Sequence, residues 1–336
     1  MVPLTAARIR RFRQALLAWY DQCHRELPWR CDPDAYRVWI SEIMLQQTRV
    51  AAVVDHYVRF LRRFPTVQAL AAAREASVLA AWSGLGYYHR ARRLHQAARV
   101  IIRERHGKFP RTAGEWLQLP GIGRYTAAAI ASIAFGEPVA VVDGNVQRVL
   151  QRLFATTDDG ESSWSQASAL LDHTRPGDFN QAMMELGATI CTPRVPQCLL
   201  CPLNRFCQSR GAGEKRLRAP RKREELRYIL ARRHAAVLLV QRPAEASLMA
   251  GMWELPPLSQ TNGSVPLLRL RHSITSTDYQ VSVFNGESEQ SEPCAPDGRW
   301  FTRSQYERLP LTGLTRKILR RLSVASSPAA EQSKVR

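Results

Sequence analysis

Leu119-Pro120-Gly121-Ile122-Gly123-Arg124-Tyr125-Thr126-Ala127 lies between two stretches of helical periodicity, and its reading decides the fold. Proline lacks an N–H and clashes with the turn before it, so one helix ends at Pro120, and the next opens near Arg124. Glycines at 121 and 123 let the backbone come close to a ligand. The free N–H groups at the start of the second helix can hold a phosphate. A plain connection between helices is the simpler reading, yet Leu-Pro-Gly-Ile-Gly is more demanding than a single-glycine turn.

Such a helix-hairpin-helix suits contact with a DNA backbone irrespective of sequence, and the charge agrees. Forty-eight Lys and Arg against 29 Asp and Glu give +19 over 336 residues. A phosphate backbone is the commonest partner for that excess, with an anionic membrane second. An apolar fraction of 45% is ordinary for a globular chain and excludes general disorder. At roughly 100 to 200 residues per domain the length suggests two domains. No apolar run approaches the ~18 residues of a membrane span. The N-terminal segment reads as an amphipathic helix without a signal-type core. A soluble intracellular protein with no membrane partner is expected, cytoplasmic and at the nucleoid in a bacterium.

From residue 6 to about 190 apolar residues recur at three and four spacing, and Pro and Gly punctuate the chain as turns between short helices do. This reads as an all-α domain over 1–209. Residues 210–233 carry ten Lys or Arg, and 210–227 reads as a basic linker. Beyond it Ala235 to Pro243 reads as a buried strand, Tyr279 to Phe284 alternates with period 2, and Leu311 to Leu322 returns to a helix. An α+β domain is expected over 228–323, with a disordered tail at 324–336.

Of seven cysteines, Cys191, Cys198, Cys201 and Cys207 fall in the pattern C-x6-C-x2-C-x5-C. Four thiolates so close can enclose one centre, either tetrahedral zinc or a cubane iron–sulfur cluster. Zinc sites usually pair two C-x2-C knuckles, and here only Cys198 with Cys201 forms one, so the spacing favours one [4Fe-4S] cluster in the loop 191–207. Four buried free cysteines are the bland alternative, against which Pro193, Pro196 and Pro202 hold the loop in turns.

Val141-Val142-Asp143-Gly144-Asn145 follows the hairpin. Alone, Asp143 reads as a helix N-cap. The order of hairpin, aspartate and four-cysteine loop resembles the helix-hairpin-helix DNA glycosylases. Members of that superfamily that also cut the strand carry a nucleophilic lysine where this chain has Tyr125, so the resemblance implies a monofunctional enzyme that leaves an abasic site. Pro28-Trp29-Arg30, Val38-Trp39-Ile40-Ser41-Glu42-Ile43-Met44-Leu45-Gln46-Gln47-Thr48, Gly84-Leu85-Gly86-Tyr87-Tyr88 and Asn180-Gln181-Ala182-Met183-Met184-Glu185-Leu186-Gly187 narrow it. They are similar to adenine DNA glycosylases of the MutY type. On a helix Ile40, Ile43 and Met44 form a core stripe, which puts Trp39, Glu42 and Gln46 on an adjacent face. Taken singly Glu42 could be a surface residue, but beside Trp and Leu it is placed to be desolvated and its pKa raised, as a general acid needs.

The resemblance implies that adenine mispaired with 8-oxoguanine or guanine is flipped out of double-stranded DNA and hydrolytically removed. Glu42 would protonate N7 and Asp143 would stabilise the oxocarbenium or glycosyl intermediate. Tyr125 and Asn145 would assist, Trp29, Arg30 and Glu185 would line the adenine pocket with Gln46 beside them, and Gln47 and Tyr87 would wedge into the duplex. Gln241-Arg242-Pro243, Gly251-Met252-Trp253-Glu254-Leu255-Pro256 and Leu270-Arg271-His272-Ser273-Ile274-Thr275-Ser276 are similar to the Nudix-like domain that recognises 8-oxoguanine in this family. The REx2EE metal-binding core of Nudix hydrolases is missing, which leaves His272, Thr275 and Ser276 a binding role. Ile274-Thr275-Ser276 stands where the family has Phe-Ser-His, so the hydroxyl of Thr275 is kept and the histidine ring is lost. A sliding clamp or a mismatch-repair protein is the class of protein partner considered, and a monomer is expected for a chain that closes round one duplex. The rivals are an endonuclease III-like glycosylase and lyase on oxidised pyrimidines and a non-enzymatic DNA-binding protein.

Overall fold

The computed structural model describes residues 5–157, 160–210, 221–243, 245–246, 248–261, 263–274, 277–286 and 297–324. The chain divides into two compact units, one of Met1–Ala72 with Arg93–Leu217 and one of Ala73–Arg92 with Arg218–Arg336.

The first unit is helical. It holds α1 (Ala6–Cys23), α2 (Ala35–Leu45), α3 (Val50–Arg63) and α4 (Val67–Ala72). After α5 (Glu75–Trp82), which belongs to the second unit, come α6 (Tyr88–Arg105), whose residues up to Arg92 belong to that unit too, α7 (Ala113–Trp116), α8 (Arg124–Phe135), α9 (Gly144–Phe154), α10 (Glu161–Leu170) and α11 (Pro176–Thr189). Asp34 caps α2 by accepting the Arg37 N–H at 3.0 Å. Every residue of α2 from Val38 to Met44 is buried, so it is a central helix with no polar face. The expectation of separate core and functional faces therefore gives way, and Gln46 lies beyond the helix as its C-cap. Ala127, Ala128, Ala129 and Ala131 of α8 are buried, and their small side chains let α2 and α8 approach closely. Phe12, Leu16, Leu150, Leu186 and Leu203 build a second core among α1, α9, α11 and the cysteine loop.

The hairpin lies where the sequence puts it. Its first helix is a single turn, opened by a capping box of Thr112 and Glu115 and ended at Trp116, short of the Pro120 boundary expected. Gly121 takes φ +79° and a Cβ there would lie 2.6 Å from the Arg93 Cβ.

The second unit carries β1 (Lys222–Leu230), β2 (Arg232–Arg233), β3 (Ala236–Gln241), β4 (Trp253–Glu254), β5 (Leu268–Ile274), β6 (Thr277–Asn285), β7 (Arg299–Thr302), α12 (Arg303–Tyr306) and α13 (Gly313–Val324). One sheet has the order β1-β6-β5; β1 runs parallel to β6 and β5 antiparallel to it. The other has the order β2-β3-β4 with β7 also on β3. Leu230, Leu239, Val283, Leu314 and Ile318 form the core of this unit, which includes one face of α13. β1 begins at Lys222, inside the stretch 210–227 read as linker. Its alternate residues Leu226, Tyr228 and Leu230 join that core, while exposed Lys222, Arg223, Glu225 and Arg227 disguise the strand as a charge run. Of the expected linker, 211–220 lie outside the described residues, as do 325–336 of the expected tail. Among the described residues no helix is long and apolar enough to cross a membrane.

Candidate active site

One cavity of about 590 Å³ in the helical unit is lined by Trp29, Arg30, Glu42, Gln46, Gln47, Gly123, Tyr125, Asp143, Asn145 and Glu185. These are ten of the site residues picked from sequence, brought from α2, the hairpin helix α8, the start of α9, α11 and the loops flanking α2. A space of this size holds a small organic ligand.

Glu42 is 5% exposed and its Oε2 accepts a hydrogen bond from the Tyr125 hydroxyl at 2.7 Å. Burial pushes its carboxyl up to about 7; the Tyr125 hydrogen bond opposes the rise and the charge of Asp143 adds to it. The Tyr125 hydroxyl, raised well above its ordinary value by burial and the two carboxylates, stays protonated.

Asp143 is the N-cap of α9 and also faces the cavity, so the bland and the functional readings of this residue hold together. Its Oδ1 accepts the N–H groups of Asn145 at 2.9 Å and Val146 at 2.7 Å, and its Oδ2 accepts Asn145 Nδ2 at 2.9 Å. Burial raises its pKa, and these three bonds pull the other way by favouring the charged form. Asn145 accepts in turn from Arg148 Nη2 at 2.8 Å, and Arg148 Nε donates to the Cys191 carbonyl at 2.9 Å.

Glu185 lines the cavity but its carboxylate is already engaged. Arg25 donates to it from Nε at 2.6 Å and Nη2 at 2.9 Å, and Arg30 from Nη2 at 2.9 Å. Burial alone would raise its pKa, yet the two guanidiniums outweigh it and hold the carboxyl below its ordinary value. Glu185 therefore acts here as the anchor of two cations. Trp29 packs edge-on against Tyr57 with ring centroids 5.4 Å apart. Gln46 donates to Thr126 Oγ1 at 3.0 Å, tying the end of α2 to α8. Gln47 has φ +55°, a left-handed conformation that strains a non-glycine residue. Gly123 is the N-cap of α8 and nothing lies within 4 Å of a Cβ built there, so the helix start is open to a ligand.

Four participants were given no role of their own by the sequence reading, although Asn180 and Gln181 stand in a motif it quoted. Arg25 and Gln181 line the cavity, and Arg148 braces Asn145. Asn180 donates to Ser132 Oγ at 3.0 Å and the Val139 carbonyl at 2.9 Å and accepts the Val141 N–H at 3.1 Å, fixing the segment that delivers Asp143.

Cys191, Cys198, Cys201 and Cys207 line a small cavity of their own with Arg152, whose Nη1 donates to Cys191 Sγ at 3.3 Å. Among the described residues no three His, Cys, Asp or Glu side chains are grouped as a single metal ion would require. Tyr87 and His272 belong to the second unit. Tyr87 has φ +47°, and burial, then Lys317, lowers the pKa of the half-buried His272 on β5. Thr275 and Ser276 lie outside the described residues.

The HhH-GPD superfamily of base excision DNA repair proteins matches residues 40–171, a span that contains Glu42, the hairpin and Asp143. The human adenine DNA glycosylase is 37% identical over 407 aligned residues, covering 94% of this chain and 74% of the human one. The Mycolicibacterium smegmatis adenine DNA glycosylase is 47% identical over 204 residues, 59% of this chain and 69% of its own. Among solved structures a thermostable thymine-DNA glycosylase aligns with a TM-score of 0.57 at 30% identity, covering 61% of this chain and 99% of that one. A buried acid and a helix-capping aspartate line one cavity behind a glycine hairpin, in a chain that aligns over 94% of its length with such an enzyme: it belongs to the MutY-type adenine DNA glycosylase family.

Proposed function

We propose that this protein is a monofunctional base excision repair enzyme that removes adenine mispaired with 8-oxoguanine, and with guanine, from double-stranded DNA. The glycosidic bond cannot be reached inside the stack, so the adenine is flipped into the cavity. Glu42 delivers its proton to N7, the C1′–N9 bond breaks, and the base leaves with the bonding pair. Asp143, whose charged form its three hydrogen bonds favour, faces the oxocarbenium sugar that remains. Water adds at C1′ and the proton it gives up restores Glu42, which leaves an abasic site. Tyr125 orients the acid, Asn145 orients Asp143, and Trp29, Arg30 and Gln46 border the base, with Glu185 fixing Arg30. Gln47 and Tyr87 wedge into the duplex at the mispair, and both carry the backbone strain that gathers at working residues. Gly121 and Gly123 bring the hairpin to a phosphate. The observation that carries the reading is Glu42, a buried carboxyl poised near neutrality beside a hydrogen-bonded aspartate in one cavity.

The second unit is read as the Nudix-like recognition domain for 8-oxoguanine, with a binding role for His272, Thr275 and Ser276. The four cysteines are read as holding one [4Fe-4S] cluster. All four thiols line one small cavity, which suits a centre bound by four cysteines. Its contribution there is structural, closing the loop 191–207 onto the helices. Single-turnover cleavage of duplexes carrying adenine opposite 8-oxoguanine, guanine or thymine, with alkali added afterwards, tests the function. Breaks confined to the adenine strand, requiring alkali and fastest opposite 8-oxoguanine, support it. Breaks without alkali, or none from a preparation that binds DNA, refute it. With no lysine at position 125, borohydride is expected to trap little protein on the product.

A further inference from the structure

We propose that Ser83 and Arg316 are positioning residues for Tyr87, so that the second unit sets where this ring meets the base stack. This rests on the reading of Tyr87 as a wedge at the mispair. The turn between α5 and α6 passes through positive φ at Gly84 (+111°) and Gly86 (+71°), which glycine adopts freely, and at Tyr87 (+47°), where a side chain makes it a strain. A tyrosine persists in that conformation only where its surroundings over-determine it.

Part of the constraint is local. The guanidinium of Arg90 lies 5.4 Å from the ring centroids of both Trp82 and Tyr87, and its Nη2 donates to the carbonyl of Gly86 at 3.3 Å. Trp82 Nε1 donates to the same carbonyl at 3.1 Å. These contacts shape the turn but do not fix it to anything beyond itself.

The anchor is distant in sequence. The Leu311 carbonyl accepts from Ser83 Oγ at 2.8 Å and from Tyr88 Oη at 3.3 Å, bonds that span 228 and 223 residues. Ser83 Oγ accepts in turn from Arg316 Nε at 2.9 Å. Ser83 is 6% exposed and Leu311 1%, so both ends of the anchor are shielded from competing water. On its far side Thr312 N–H donates to the Trp253 carbonyl at 2.9 Å, and Trp253 N–H to the Pro310 carbonyl at 2.9 Å. Tyr87 is thus bracketed by Ser83 and Tyr88, and both are bonded to one carbonyl that is locked to β4. Releasing one bracket lets the strained turn relax and the ring leave its place.

The test is single-turnover excision of adenine opposite 8-oxoguanine, with 2-aminopurine stacked beside the 8-oxoguanine to report insertion of the ring by its fluorescence. Ser83→Ala and Arg316→Met are each expected to slow excision about five- to tenfold and to diminish the fluorescence change, while Ser83→Thr, which keeps the hydroxyl, retains both. In a Tyr87→Ala background neither substitution is expected to cost more than about twofold, because residues acting through one ring are not additive. Equal losses with and without Tyr87, or no loss at all, would overturn the proposal. Should Arg316→Met fail to fold, the contrast between Ser83→Ala and Ser83→Thr decides it. If Tyr87→Ala by itself changes neither rate nor fluorescence, the wedge reading fails and the proposal with it, a failure seen in a different variant.

Discussion

Glu42 and Asp143 are carboxyls on the wall of one cavity; burial raises the pKa of both, and their hydrogen-bond partners differ. Glu42 faces a phenol, and burial raises it to about 7; Asp143 receives three N–H donors that favour its charge. Asparagine caps helices about as well as aspartate, so Asp143→Asn is expected to unfold with the wild type yet lose excision by a hundredfold or more, roughly the scale of removing one electrostatic stabiliser. Asp143→Ala should lose the same activity and also about 1 kcal/mol of stability. Urea unfolding beside single-turnover rates separates the two effects. Tyr125→Phe removes the hydrogen bond that lowers the Glu42 pKa. The acid then holds its proton to higher pH, so the falling limb of the rate profile should move up, not down. At this scale the sequence was legible where a motif is contiguous. Glu185 could be picked out, but its duty could not, because Arg25 and Arg30 reach it across 160 and 155 residues.

The hairpin assigns its two glycines different work. Gly121 needs its conformation, at φ +79° with Arg93 pressed against it, whereas Gly123 has an ordinary φ of −99° and open space. Gly121→Ala is therefore expected to destabilise the fold by about 1 kcal/mol or more. Gly123→Ala should leave the thermal midpoint unchanged and weaken binding to undamaged duplex, since a methyl then stands where a phosphate would approach. Loss of stability in Gly123→Ala would contradict this division. Helices with caps and punctuation, α8 and α9 above all, could be read from sequence because their signals are local. β1 could not, because its outward residues are charged and its partner β6 lies more than fifty positions away. For the same reason the affiliation of residues 73–92 was hidden: long-range bonds of Ser83, Tyr88 and Arg92 attach them to the second unit.

For the molecule as a whole, +19 of net charge, a glycine hairpin and a cavity lined by Glu42, Asp143 and Glu185 suit the proposed task of holding a duplex while one base is withdrawn. The cysteine loop is part of that frame, since Leu203 is fully buried in the core with α1 and α9, and Cys191, Cys201 and Cys207 pack against it. Cys201→Ser is expected to lower the iron and labile sulfide of the purified protein, about four of each per chain in the wild type, and to lower its thermal midpoint as well. Wild-type protein with one zinc and no sulfide would refute the cluster. The most direct test of the central claim is the pH dependence of single-turnover adenine excision opposite 8-oxoguanine, for the wild type and for Glu42→Gln. An acid must be protonated to act, so the wild-type rate should level off below about 7 and fall roughly tenfold per unit above it. Glu42→Gln should bind the mispair with little loss and excise nothing at any pH. A wild-type rate that climbs through this range, or a Glu42→Gln variant that still excises adenine, would contradict the account.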